Sequence, residues 1–406
     1  MFQALRSRDY RWFWLSRLAG DTALWVQGVA IGWLVYDLTG SALYLGMVGF
    51  AQAIPRIVLS FLGGAMADRV PKRELVCVAQ SVNAALVFLV AFLISTGLIE
   101  VWHVLTISFL TGAVASFDGP ARQAIMAELV GREELMNAVA LNAASHNGTR
   151  IIGPSISGVM IALWGNAVSL YATGFLIVLG VACLQAIRIA ATPAGSRPGL
   201  VQGFGELVAY LRGSPLAVSV LALVGAASFF GMSAMYLLPV FAGEILDVGP
   251  TGLGALQGVS AAGAFVATLG VAAISAHLHK ERLLFLGIAL LGLCLTVFAY
   301  VTWFPAALAI MFVYGAALSG GLAVANTLMQ LSVSDEMRGR AMGVYWASNN
   351  GLHPLGGIWA GSLGAAVGVS PAVAASGAVI LVTAGAVLVL LTTRSSHARV
   401  ADLPRP

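Results

Sequence analysis

The chain has 406 residues, 59% of them hydrophobic and only 9% charged, where a typical soluble domain carries about 25% charged residues. A soluble core has no room for that much apolar surface, so the solvent of this chain is lipid, and a net charge of +4 is too small to point to nucleic acid. Its three cysteines, Cys77, Cys183 and Cys294, lie far apart inside apolar runs, with neither metal-ligand spacing nor a disulfide pattern.

The opening "MFQALRSRDYRWFW" starts with charges and leads into an apolar run reaching about Tyr36. That run is too long for the apolar part of a signal peptide and reads as a retained first membrane helix. A span needs about 20 mostly apolar residues. Twelve such runs follow one another. The first six lie at about 12–36, 43–67, 74–98, 101–121, 136–163 and 166–188. The second six lie at about 216–242, 251–276, 281–302, 305–330, 339–367 and 371–393. None alternates as barrel strands do, and the 47 glycines suit close helix packing in lipid. The fold class is therefore all-α integral membrane with twelve transmembrane helices.

Lys and Arg cluster before span 1 and after spans 2, 4, 6, 8, 10 and 12; the turns after spans 1, 3, 5, 7, 9 and 11 contain none. The positive-inside rule then puts both termini in the cytoplasm, and Trp102, Trp164 and Trp303 sit toward the opposite interface. The longest break, at 191–215, opens with "ATPAGSRPG" turn chemistry and continues into "FGELVAYLR", which reads as a short amphipathic helix on the cytoplasmic surface. It divides a first half (1–190) from a second half with its tail (216–406).

The two halves repeat. "ASHNG" at 144–148 returns as "ASNNG" at 347–351, 203 residues later, which is half of 406. The same offset aligns Gly153 with Gly356, Gly158 with Gly361 and Arg150 with His353. Two pseudo-symmetric six-helix halves are the architecture of a rocking secondary transporter, with a site between them near the midplane.

Between spans 2 and 3 stands "GGAMADRVPKR". It resembles the signature loop of the major facilitator superfamily, with Gly64, Asp68, Arg69, Lys72 and Arg73 on the motif and Pro71 where that family usually has glycine. "FDGPARQAIMAELVGREELMNAVALN" and "RIIGPSISG" are similar to the branch of siderophore and macrolide exporters, and Gly153, Pro154 and Gly158 resemble the span-5 motif of antiporters. The resemblance covers essentially the whole chain. It implies a clasp in which Asp68 meets the start of span 11 near Gly339; Arg69 and Lys72 are then within reach of Asp118. Such a clasp biases the rocking equilibrium; the bland alternative is a solvated loop that only sets topology.

Ionisable groups deep in a span are costly and are candidates for function. Three arginines lie within spans, Arg17, Arg56 and Arg150, with one deep acid, Asp21, and Asp118 nearer the cytoplasm. Asp21 lies about 15 Å into span 1 at 1.5 Å per residue, close to the midplane. It is four residues from Arg17 and shares a helix face with Trp25. Either Asp21 exchanges protons, with Asp118 as a second coupling group, or Arg17 and Asp21 form a permanent structural ion pair. Three deep arginines against one acid favour an anionic or acidic amphipathic substrate. The remaining cavity candidates are Trp25, His146, Asn147, Asn349, Asn350 and His353; the alternative for them is interhelical packing.

No HExxH, GxSxG or Walker A motif and no Cys/His metal spacing is present, so the expectation is no enzyme, no metal and no cofactor. The function expected is a proton-coupled exporter of amphipathic siderophore-like or drug-like molecules in a bacterial-type cytoplasmic membrane. Its partners are a small-molecule substrate, protons and the bilayer, without nucleic acid, in a monomer. The alternatives are a metal or lipid carrier on the same fold and a non-transporting membrane receptor.

Overall fold

The computed structural model describes residues 3–67, 70–130, 134–187, 214–274 and 279–401. Every regular element among them is helical. The first six long helices are α1 (Arg8–Thr39), α2 (Ala42–Ala67), α3 (Lys72–Ser95), α4 (Val101–Leu129), α5 (Leu135–Trp164) and α6 (Asn166–Gln185). Then come α7 (Pro215–Ala226) and α8 (Ala234–Val240), joined by a π turn at Ala227–Gly231 and followed by another at Phe241–Ile245. The series ends with α9 (Gly249–Ile274), α10 (Lys280–Phe298), α11 (Phe304–Leu331), α12 (Asp335–Val367) and α13 (Val369–Ala401).

Among the described residues, ten helical stretches are long and apolar enough to cross a membrane, α7 and α8 counting as one. Twelve were expected. The two that fall short are α5 and α12, with 30 and 33 residues. Both are long enough; what lowers their apolar content is the polar segment that carries the repeat, "SHNGTR" in α5 and "SNNGLH" in α12.

Local chemistry explains the helix ends. Ser7 caps α1, its Oγ accepting from the Tyr10 amide at 3.3 Å, and Gly40 ends the helix with φ 57°. Gly165 ends α5 with φ 84° and Gly368 ends α12 with φ 96°, a backbone that L-residues rarely adopt. These two glycines are 203 residues apart, so the sequence repeat is also a repeat of backbone conformation.

The chain divides into two compact units, Met1–Arg197 with Leu238–Ala261, and Pro198–Leu237 with Ala262–Pro406. In the first, α2 packs on α4, α1 on α5 and α6, and α3 on α4 and α6. Close approach replaces interdigitation at several crossings. A Cβ at Gly112 would run into the Gln52 carbonyl, and one at Gly174 would sit 2.6 Å from the Phe88 ring. The start of α9 joins this unit for the same reason. Gly158 of α5 abuts the Pro250 carbonyl, Gly254 abuts the Pro154 carbonyl, and a Cβ at Gly258 would come within 2.7 Å of the Ile151 carbonyl. One core cluster gathers Tyr10, Phe13, Val76, Ala121, Ile125, Leu184 and Ile187 from α1, α3, α4 and the end of α6.

In the second unit, α10 packs on α11 and α13, and α12 on the first π turn and α13. A Cβ at Gly292 would sit 2.9 Å from the Gly377 carbonyl. The Tyr314 hydroxyl donates to the Gly231 carbonyl at 3.0 Å. It thereby serves a backbone acceptor at the π turn, where the regular helical ladder is interrupted.

Candidate functional site

The seam between α1 and α5 is polar along its length. The Tyr10 hydroxyl donates to the Ala138 carbonyl at 3.1 Å, and Trp14 Nε1 to Ser145 Oγ at 2.7 Å. Farther along, Ser157 Oγ donates to the Val26 carbonyl at 2.9 Å, and just past the end of α5 Asn166 Nδ2, at the start of α6, donates to the Ala30 carbonyl at 3.0 Å. Partners rise together along both helices, so α1 and α5 run parallel.

Between these contacts lies a charged cluster. Asp21 is 7% exposed, near the middle of α1. Arg17 Nε donates to its Oδ2 at 3.2 Å, one helical turn away. His146 of α5 brings Nδ1 to 3.4 Å from the same oxygen. Trp25 lies next to both: its ring is 5.7 Å from the His146 ring, and the Arg150 guanidinium stands 5.6 Å from the indole centroid. A guanidinium over an indole is worth about 0.5–2 kcal/mol. Gly153 makes room for the indole, since a Cβ there would meet Trp25 Cβ at 2.8 Å. Thus Arg17, Asp21, Trp25, His146, Arg150 and Gly153, picked from separate stretches of sequence, meet at one place.

The other candidates are placed as follows. Asn147 turns back on its own helix, donating to the Ala143 carbonyl at 2.8 Å. Arg56 is exposed on α2, beside the buried Pro55. Gly64 falls within α2, while Asp68 and Arg69 lie outside the described residues. Lys72 pairs with Glu128 at the end of α4, and Arg73 donates to the Ile187 carbonyl at 2.8 Å. The expected partner of Lys72, Asp118, instead holds Arg122, whose Nε is 2.9 Å from both carboxylate oxygens.

Arg122 is the functional candidate that sequence reading passed over. The apolar run of span 4 ends near Ala121, which assigns Arg122 to the cytoplasmic turn. The helix continues to Leu129 and carries Arg122 inside, 5% exposed, with Nη1 3.4 Å from Ser16 Oγ on α1. An acid four residues ahead of a base was the available signal, because that spacing stacks the pair on one helix face.

The second unit mirrors the seam. Ser228 donates to Asn349 Oδ1 at 3.0 Å, and these positions are 203 residues from Trp25 and His146. Gly356, the counterpart of Gly153, abuts the Phe229 carbonyl. His353, the counterpart of Arg150, stacks on Tyr236 with centroids 4.9 Å apart and planes 18° apart. Asn350 donates to the Trp346 carbonyl of its own helix at 3.2 Å. The mirror is apolar and aromatic where the first unit is charged: Phe229, Phe230 and Trp359 form edge-on and tilted contacts there.

Over residues 1–403 the sequence matches the family described as Transmembrane secretion effector, a major facilitator group. The chain belongs to this family. It is a multi-pass membrane transporter of the inner membrane with the major facilitator fold, not an enzyme. Among relatives, the multidrug efflux pump Tap of Mycolicibacterium fortuitum is 26% identical over 84% of this chain and 85% of its own. The enterobactin exporter EntS of Escherichia coli is 26% identical over 96% and 93%. The staphyloferrin A transporter of Staphylococcus aureus is 24% identical over 66% and 69%. Solved structures carry the same fold at lower identity. The nucleoside transporter NupG matches with a TM-score of 0.75 at 13% identity, covering 95% of this chain and 99% of that one. A bacterial homologue of the lysosomal transporter Spinster matches at 0.77 and 12% identity, covering 95% and 98%.

Proposed function

We propose that this secretion-effector transporter is a proton-coupled exporter of amphipathic small molecules, drug-like or siderophore-like, working by alternating access of two six-helix halves. Both termini are cytoplasmic in this reading, which the distribution of Lys and Arg supports. The observation that carries it is the Arg17–Asp21–His146 cluster with Trp25 and Arg150 on the seam of α1 and α5. A buried carboxylate touched by a fixed cation and a titratable imidazole has what a proton-exchanging site needs. The indole and guanidinium beside it offer stacking and charge to an amphipathic molecule. The relatives, efflux pumps and siderophore transporters, fit that role. The signature loop, with Asp68 and Arg69, belongs to the same reading as a clasp that sets the population of the two states.

A metal carrier is disfavoured by the same geometry. Asp21 spends its Oδ2 on Arg17, and among the described residues no three His, Cys, Asp or Glu side chains stand together as metal ligands. The test is flux into and out of proteoliposomes under an imposed pH gradient, with enterobactin, staphyloferrin A and the planar cation ethidium as probes. Gradient-dependent movement of at least one supports the reading; downhill leakage equal to that of empty liposomes for all three, from folded protein, counts against it.

A further inference from the structure

Asp21 is the obvious place for a coupled proton, but its surroundings argue for its neighbour. Arg17 keeps its charge at any accessible pH. A proton added to Asp21 would discharge the carboxylate and leave Arg17 as an unpaired cation within the membrane. A proton added to His146 gives the same net charge but keeps the carboxylate between two cations, Arg17 at 3.2 Å and the imidazolium at 3.4 Å. One carboxylate oxygen can accept from both. The second arrangement is the cheaper by electrostatics alone.

Exposure points the same way. The Asp21 side chain is 10% exposed, whereas that of His146 is 40% exposed. Its Nδ1 is nevertheless shut off from solvent and faces Asp21 Oδ2 at 3.4 Å. The imidazole therefore has one open side and one side against the carboxylate. Ionisable groups at such depth face a bundle interior or a water-filled path, so the open side is where a proton arrives.

We propose that His146 is the group through which the coupled proton enters and leaves, with Asp21 as its buried counter-ion and Arg150 as the group on which its charge acts. This rests on the proton-coupled reading above. Arg150 is one turn along α5, and both His146 and Arg150 sit within 6 Å of the Trp25 ring. Charging His146 sets two like charges four residues apart on one helix face, which loosens Arg150 from the indole. The other charged groups around the imidazole are Arg17 and Asp21 of α1. Of the remaining described elements packed on α5, the Gln3–Arg6 turn carries Arg6, α4 carries Asp118, Arg122 and Glu128 toward its end, α6 carries only Tyr171 and Cys183 as titratable side chains, and the Gly249–Ala261 part of α9 carries none.

The sign of the coupling follows, because linkage is reciprocal. An anion seated on Arg150 would strengthen the hold of His146 on its proton, which favours movement of both in one direction. Exchange against protons needs a substrate that disfavours the charged imidazole: an uncharged or cationic planar group stacked on Trp25. The class of molecule exported against a proton at this site is therefore the planar, non-anionic amphiphile.

The experiment is a pH titration of isotopically labelled histidine by NMR in lipid nanodiscs, with the His146 signal assigned by its loss in H146Q. The expected result is a change of protonation within the pH range over which the protein stays folded. The midpoint falls by about one pH unit or more in D21N and rises in R150Q, the directions expected for losing an opposite and a like charge. In proteoliposomes the ratio of gradient-driven to downhill ethidium flux falls to about one in H146Q. A His146 ring that does not titrate, or a midpoint unmoved in D21N, overturns the proposal. So does full gradient-driven transport in H146Q; if D21N alone abolishes it, proton coupling stands and the proton belongs to Asp21. Wild-type ethidium flux indifferent to the gradient would remove the proton-coupled reading for this site, and the proposal with it.

Discussion

Replacing Arg122 by Met removes a cation from the interior of the first unit and leaves its carboxylate behind. Arg122 is 5% exposed and holds both oxygens of Asp118 at 2.9 Å, and it reaches Ser16 on α1 at 3.4 Å. Breaking a buried ion pair from one side costs about 3–5 kcal/mol, most of it the uncompensated charge that remains. The Asp118 side chain is 18% exposed, so water relieves part of that penalty and the lower end, about 3 kcal/mol, is expected. The converse change, D118N, strands the more deeply buried Arg122 and is expected to cost at least as much. The double variant D118N/R122M has no stranded charge and should recover most of the loss. The assay is a double-mutant cycle on unfolding midpoints in lipid-containing micelles, read beside a wild-type control at matched detergent. If R122M alone is as stable as wild type, or if the two single losses simply add in the double variant, the pair is not the buried tie between α4 and α1 described here.

Gly254→Val should loosen the crossing of α5 and α9, because its Cβ would meet the Pro154 carbonyl; a stability loss of about 1–3 kcal/mol is expected, and a thermal midpoint equal to wild type would refute it. D21N should weaken gradient-driven flux, because the His146 imidazolium loses its counter-ion, while leaving downhill exchange measurable; full accumulation in that variant would make Asp21 a structural ion-pair member with no part in coupling. Cysteines placed at Gly165 or Asn166 should react with an impermeant maleimide from outside intact cells, and labelling near Arg197 instead would invert the topology. D68N should change the ratio of inward to outward accessibility more than substrate binding, and wild-type values of both transport and that ratio would leave the loop only a topogenic role.

Composition and the positions of Lys and Arg were enough to identify lipid as the solvent, to locate the helices and to propose an orientation, because each depends on one segment's transfer free energy or one loop's charge. The half-length repeat was legible in five residues and recurs in the structure at Gly165 and Gly368 and in the contacts of His146 and Asn349. Deep ionisable residues stood out for the same reason: an Asp or Arg inside an apolar run is expensive wherever it ends up. Which of them meet was not legible. Asp21 and His146 are 125 positions apart in the chain and touch only because α1 and α5 pack side by side. The end of α4 escaped for a different reason. Hydropathy marks where the apolar run stops, whereas a helix stops where its backbone hydrogen bonds do, and eight residues separate Ala121 from Leu129. Within those eight, packing against α1 turned Arg122 from an expected loop residue into a buried cation, a change that depends on a neighbour and so is absent from any local stretch of sequence.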